Sequence, residues 1–279
     1  MAVRLLSPAK VNLRLRILGR RADGYHEIDT VVQAIDLCDE ITIALSGSSL
    51  RVLAPPHLPS GEGNLCYQAA QVFFARLKRS AHASVWLTKR IPVQAGLGGG
   101  SSNAAAVLLG LNHLHENPFN PTELSLLGAT IGSDVPFFLT GGTARAWGRG
   151  EHVEPLPDAR CWWLRIVKPG LGLSTAEVYA LWRPEKGAAD VLADDAFFND
   201  LEQPAQTLMP ALADFYRMLI ADGAERVLLC GSGSAVCGFY SKPPAGALPL
   251  ARGHREFVAR TMTRLEYSQA TAVKECELA

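Results

Sequence analysis

One stretch of the chain offers its backbone, more than its side chains, for chemistry: Pro92-Val93-Gln94-Ala95-Gly96-Leu97-Gly98-Gly99-Gly100-Ser101-Ser102-Asn103-Ala104-Ala105. Glycines without a Cβ let a ligand reach the main chain. A helix starting behind them presents unpaired N–H groups and about half a positive charge, which suits a polyphosphate. No Gly-Lys-Ser/Thr follows, so this is not a Walker A loop, and Ser101 stands where a dinucleotide fingerprint needs its last glycine. A bare glycine cluster serves equally as a tight turn with close helix packing. The alanine-rich run behind it, which Ser101, Ser102 and Asn103 are expected to cap, favours the anion site.

Four further segments carry reactive side chains. Asp134, in Gly132-Ser133-Asp134-Val135-Pro136, sits between a helix end and an apolar run, where a carboxylate needs a partner. Taken alone it reads as a cap or turn residue. Lys10, in Ser7-Pro8-Ala9-Lys10-Val11-Asn12, taken alone is an ordinary surface lysine at the mouth of a strand. The polar turn Arg20-Arg21-Ala22-Asp23-Gly24-Tyr25-His26 leads an aromatic and an imidazole into the next strand, although a lone histidine is more often structural. A second glycine turn, Gly231-Ser232-Gly233, follows the apolar run Leu228-Leu229-Cys230. Two such turns could clasp one ligand, or this one is a plain strand connection.

The elements that must position these groups are legible in outline. Over residues 11–17 apolar side chains fall on every second position with Asn12, Arg14 and Arg16 between them, the period of a half-buried strand, so Lys10 and Asn12 share a face. The alternation returns at residues 41–45 and 83–88, and antiparallel strands are expected. A helix is expected from an N-cap at Asn64, a second behind the glycine run, and a third from Pro121 to near Gly132. Pro155 and Pro157 punctuate the chain before an apolar strand-like run starting at Cys161, which predicts domains at 1–157 and 158–279.

Composition bounds the function. The 279 residues are 48% hydrophobic and 19% charged, with 27 basic against 27 acidic groups, the balance of a folded globule. Zero net charge and the lack of a basic block argue against nucleic acid as partner. Arg4, Lys10, Arg14 and Arg16 interrupt any signal-peptide core, and no run approaches the ~18 apolar residues of a membrane span. The six cysteines show neither Cys-x-x-Cys nor zinc-ligand spacing and read as buried thiols. A cytoplasmic protein without a membrane partner is expected, as a monomer or homodimer.

Taken in order, Ser7-Pro8-Ala9-Lys10 with Asp23-Gly24-Tyr25-His26, the 96–105 stretch, Gly132-Ser133-Asp134-Val135-Pro136, Gly148-Arg149-Gly150-Glu151, Asn199-Asp200-Leu201-Glu202 and Gly231-Ser232-Gly233 resemble the motifs of the GHMP kinase superfamily. The likeness spans nearly the whole chain. It implies an α+β fold of two domains, a nucleotide-binding half like domain 2 of ribosomal protein S5 and a ferredoxin-like half, with the active site in the cleft between them. It also implies ATP and Mg²⁺. Within the superfamily, the branch resembled acts on the 2-hydroxyl of 4-diphosphocytidyl-2-C-methyl-D-erythritol, in the non-mevalonate route to isoprenoid precursors. A homoserine, mevalonate or sugar acceptor, or a non-catalytic nucleotide-binding module, is the alternative.

By that resemblance Asp134 receives the substrate proton and Lys10 holds the carboxylate and the transferring phosphoryl group. Pro92, Gly96, Leu97, Gly98, Gly99, Gly100, Ser101, Ser102 and Asn103 form the ATP loop, with Ser101 and Ser102 meeting phosphate or its metal. Cytosine stacks between Tyr25 and Tyr179 while His26 reads its edge. Asn12 bonds the erythritol hydroxyls, and Gly231, Ser232 and Gly233 complete the substrate side. Two positions depart from the family pattern: Gln94 where a small residue is expected, and Arg14 where an apolar or aromatic one is. The last thirty or so residues match no motif.

Overall fold

The computed structural model describes residues 1–184 and 197–277. The alternation at the start extends much further than residues 11–17: β1 runs Ala2–Arg20 and pairs antiparallel with β2, His26–Ala44. Register shifts between Pro8 and Ala9, Asn12 and Arg14, and Ile17 and Gly19 let so long a ribbon bend. After β3 (Arg51–Leu53) comes α1 (Leu65–Arg76), whose N-cap Asn64 accepts the Cys66 amide at 2.9 Å as its sequence predicts. Then follow β4 (Ser84–Thr88), α2 (Gly99–Leu114), α3 (Pro121–Ile131), α4 (Val135–Thr140), β5 (Thr143–Gly148) and β6 (His152–Pro155). Asn120 and Glu123 close a capping box on α3, and Gly132 ends it.

The second half contributes β7 (Trp163–Lys168), α5 (Thr175–Leu181), β8 (Phe198–Asn199), α6 (Glu202–Leu208), α7 (Leu212–Ala221), β9 (Arg226–Leu229), β10 (Val236–Tyr240), β11 (Arg255–Arg260), α8 (Arg264–Thr271) and β12 (Lys274–Cys276). Its four-stranded antiparallel sheet has the order β11-β7-β10-β9. Numbered within that sheet the order is 4-1-3-2, the ferredoxin-like arrangement. One departure is plain: residues 241–254, where the second crossover helix would lie, hold no helix, and α8 follows the last strand instead.

The larger sheet corrects two expectations. Most of its strands are antiparallel, but β3 runs parallel to β4 and β8 parallel to β1. It is also not built from the first half alone, since β8 and β12 return to flank β1. Odd-numbered residues of β1 tie the molecule together. Val3 and Leu5 enter the core under α1 and α2; Ala9, Val11 and Leu13 pack on Leu164, Ile166 and Phe239 of the smaller sheet; Leu15 and Ile17 meet Val178, Leu219 and Val236. The even positions Lys10 and Asn12 point the other way.

The cysteines are all unpaired, but only Cys66, Cys230 and Cys237 are buried, and Cys161 is exposed. The apolar alternation that hides its neighbours ends before it: Cys161 lies ahead of β7 rather than in it.

Candidate active site

A cavity of about 1110 Å³ opens between the β1–β2 ribbon, the glycine loop, the N-terminus of α4, the β5–β6 turn and α5. Lys10 and Asp134 meet in it. Lys10 is 5% exposed; its Nζ donates to Asn12 Oδ1 at 2.7 Å and stands 3.7 Å from Asp134 Oδ2. Asn12 Nδ2 donates in turn to Thr30 Oγ1 at 2.8 Å, and that hydroxyl donates to the Arg14 carbonyl at 2.6 Å. This relay fixes the ammonium. A buried cation needs such partners, and Asn12 supplies one without neutralising its charge. Asp134 is not buried as its apolar surroundings suggest. Its side chain is 43% exposed, and although it occupies the N-cap of α4 it caps no amide, so the carboxylate is open to the cavity.

The glycine loop is held on three sides. The Lys10 amide donates to the Leu97 carbonyl at 3.0 Å. Beneath the loop, fully buried Asp39 accepts the Arg90 and Ile91 amides at 2.7 and 2.8 Å and the Lys89 ammonium at 2.6 Å. Burial presses the Lys89 pKa down, against the pull of Asp39. Across the cleft Gly96, at φ 74°, lies so close to the second glycine turn that a Cβ on it would stand 1.7 Å from the Cys230 carbonyl oxygen. The two glycine turns therefore abut. Gln94 takes a left-handed φ of 52°, and its side chain lies over Gly172. Arg14 turns outward into an ion pair with Asp29 at 3.6 Å.

One expectation about α2 fails. The helix starts at Gly99 with left-handed Gly98 as its N-cap, so Ser101, Ser102 and Asn103 lie in its first turn and cap nothing. Ser102 donates the first intrahelical bond, to the Gly98 carbonyl, which leaves the Gly99, Gly100 and Ser101 amides ahead of the ladder as an anion cradle. Ser102 and Asn103 are 2% exposed: the Ser7 hydroxyl donates to Asn103 Oδ1 at 2.7 Å and accepts from the Ser102 hydroxyl at 2.7 Å. Their side chains brace α2 on β1 and lie outside the cavity lining. Only Ser101 of the three lines the cavity.

Lys10, Asn12, Tyr25, His26, Gly96, Gly98, Ser101, Asp134, Tyr179, Gly231 and Ser232 all line the cavity. Pro92, Leu97, Gly99, Gly100, Ser102, Asn103 and Gly233 do not; Leu97 is a core residue instead. At the aromatic end the His26 and Tyr179 ring centroids are 5.1 Å apart, and Trp182 meets His26 edge-on at 5.9 Å. Tyr25 is 55% exposed, with the Arg149 guanidinium 5.0 Å from its ring centre. Burial, with Arg20 nearby, lowers the His26 pKa, and burial raises that of Tyr179. Sequence reasoning missed Trp182, the C-cap residue just past the end of α5. It also missed Thr30, which pairs with Leu15 in the ribbon yet lies within reach of Asn12 past the register shift, and Thr175, whose hydroxyl lies 2.8 Å from that of Ser232.

The Asn199 to Glu202 motif works behind the second glycine turn. Asn199 Nδ2 donates to the Leu229 and Gly231 carbonyls at 3.0 and 2.7 Å, Glu202 Oε1 accepts the Leu229 amide at 3.0 Å, and Asp200 Oδ2 accepts the Ile17 amide at 2.8 Å. It joins that turn to the strand bearing Lys10. Among the described residues no group of three or more His, Cys, Asp or Glu side chains could hold a metal ion.

The family model for the GHMP kinases N terminal domain matches residues 64–142. A 4-diphosphocytidyl-2-C-methyl-D-erythritol kinase from Pelotomaculum thermopropionicum is 42% identical over 275 residues, 91% of this chain and 95% of that protein. Another of that description, from Protochlamydia amoebophila, is 40% identical over 242 residues, 84% of this chain and 83% of its own. A solved 4-(cytidine 5'-diphospho)-2C-methyl-D-erythritol kinase superposes with a TM-score of 0.81 at 36% identity, covering 92% of this chain and 98% of that one. A homoserine kinase from Cytophaga hutchinsonii, at 16% identity and a TM-score of 0.68 over 94% of this chain and 95% of its own, shares the fold.

Proposed function

The chain belongs to the 4-diphosphocytidyl-2-C-methyl-D-erythritol kinases, a family of GHMP kinases, and from that premise we propose that it transfers the γ-phosphoryl group of ATP to the 2-hydroxyl of 4-diphosphocytidyl-2-C-methyl-D-erythritol. The observation that carries the reading is the Lys10–Asp134 approach of 3.7 Å at one end of a cavity whose other end is aromatic. The acceptor hydroxyl lies against Asp134, which takes its proton as the new O–P bond forms and the bond to the β-phosphate oxygen breaks. Lys10 offsets the charge spread over the transferring group. In a loose phosphoryl-transfer transition state that proton leaves late, so position and charge outweigh basicity.

The Gly99, Gly100 and Ser101 amides and the turn at Gly96 and Gly98 receive the ATP phosphates. Mg²⁺ would be held mostly by those phosphates, the habit of an ion that keeps few protein ligands, and the Ser101 hydroxyl and the open Asp134 carboxylate would be the donors available to it in the cavity. When bound it neutralises charge on the β- and γ-oxygens. The cytosine ring is held by Tyr25, His26 and Tyr179, a contact worth about 1–3 kcal/mol per stacked base elsewhere. Asn12 reaches the erythritol hydroxyls with its remaining N–H, since its oxygen and one amide hydrogen are engaged.

The ATP-binding half at 1–157 and the second half at 158–279 meet in the link between β6 and β7. Unpaired thiols suit a cytoplasmic enzyme, and zero net charge argues against a nucleic-acid partner. No described helix is long and apolar enough to cross a membrane. A coupled ADP-release assay across candidate acceptors tests the reading. ADP is expected only with ATP, Mg²⁺ and the cytidyl erythritol together; release with homoserine, mevalonate or galactose in its place overturns the acceptor.

A further inference from the structure

The geometry points to Arg149 as the residue that grips the diphosphate of the acceptor, an assignment that rests on the cytidyl acceptor proposed above. A ligand whose base lies among Tyr25, His26 and Tyr179 and whose hydroxyl lies between Lys10 and Asp134 must lay its diphosphate across the cavity between those ends. The β5–β6 turn borders both. Arg149 stands over the Tyr25 ring at 5.0 Å. A Cβ on the next residue, Gly150, would be 3.6 Å from Ser133 Cβ and 3.9 Å from Asp134 Oδ1.

Arg149 is also aimed. Its own amide donates to Glu151 Oε2 at 2.6 Å and its Nε to Glu151 Oε1 at 3.4 Å, so one carboxylate holds both the turn and the inner edge of the guanidinium. Its two terminal Nη groups make no hydrogen bond among the described residues, and the side chain, 30% exposed, lines the cavity. A planar fork with two unengaged nitrogens matches the paired oxygens of a phosphate. Of the other cations lining the cavity, Lys10 serves the reacting end, Arg183 donates to the Ala180 and Trp182 carbonyls at 2.7 and 2.8 Å, and Arg20 lies at the aromatic end near His26.

Calorimetric titration of the full chain with cytidine, CMP and CDP separates the base from its phosphates. The wild type is expected to bind CDP about tenfold or more tightly than cytidine, and Arg149→Met to lose about tenfold for CDP but under about twofold for cytidine. Arg149→Lys should recover part of the CDP affinity, since it restores charge without the fork. In turnover the acceptor KM should rise about tenfold in Arg149→Met while the KM for ATP holds, which also shows the variant folded. Equal losses for cytidine and CDP would reduce Arg149 to a support for Tyr25 and overturn the assignment, as would unchanged CDP binding or a wild type indifferent to the diphosphate. If the wild type binds no cytidine ligand, the acceptor reading falls first and this one with it.

Discussion

Lys10 is a cation placed where cations are costly, and its partners explain how it stays charged without being spent. Asn12 accepts from it at 2.7 Å while Asp134, at 3.7 Å, attracts it from beyond hydrogen-bond distance. Both groups thus remain available to a ligand. Asp134→Asn keeps the shape and removes the proton acceptor, so turnover should fall by about 10²–10⁴-fold with ATP affinity retained, measured by ADP release and calorimetry. Full activity in that variant would remove Asp134 from the chemistry. His26 gives a pH prediction. Burial, then Arg20, holds its imidazole below the ordinary value of 6.5, so the fold keeps it neutral to lower pH than the unfolded chain does. Its contribution to stability is therefore whole above 6.5 and lost as pH falls through the folded pKa. If the neutral ring reads cytosine, the acceptor KM should climb over the same acid range and His26→Gln should flatten the profile. A wild-type KM constant from above 6.5 down to the acid limit of the folded state would exclude the histidine from recognition.

At the scale of elements, the site is a set of turns pinned to one strand. β1 supplies Lys10 and Asn12, its Lys10 amide anchors the glycine loop, and Asp200 and Asn199 tie it to the second glycine turn. The clearest test lies where the turns touch. Gly96→Ala would press a methyl to 1.7 Å from the Cys230 carbonyl oxygen at a backbone angle that alanine disfavours. A loss of about 2–4 kcal/mol in chemical denaturation is expected, with weaker ATP binding from a displaced loop. Gly61→Ala, with nothing within 4 Å of the added atom, should stay within about 0.5 kcal/mol of wild type. Equal effects at the two sites would show that the turns do not bear on one another.

Across the whole molecule, the smaller sheet is held to its own long crossover by a buried charge. Arg165, fully buried, pairs with Asp222 at 3.2 Å and Glu256 at 3.3 Å and donates to the Ala245 and Gly246 carbonyls at 2.9 and 3.1 Å. Tyr240 donates to the same Asp222 at 2.6 Å. Arg165→Met should cost about 3–5 kcal/mol of unfolding free energy in chemical denaturation, because it leaves two carboxylates without their cation, while kcat of the folded fraction holds. A neutral result would mean that solvent already relieves those acids. What the chain announces by itself is what short-range forces decide: the Asn64 cap, the Pro121 start and Gly132 stop of α3, the alternation that puts Lys10 beside Asn12, and a glycine run fit for an anion. What waits for tertiary structure is everything set by pairing between distant segments. The pairing of β1 with β2 brings the Thr30 hydroxyl within reach of Asn12, the close seat of α2 on β1 turns Ser102 and Asn103 toward Ser7, and the return of β8 and β12 to the first sheet mixes the two halves. Above all, Lys10 meets Asp134 only because β1 and the start of α4 pack around one cavity. Local periodicity and capping act over a few residues, whereas that meeting depends on how whole layers bury their apolar faces together.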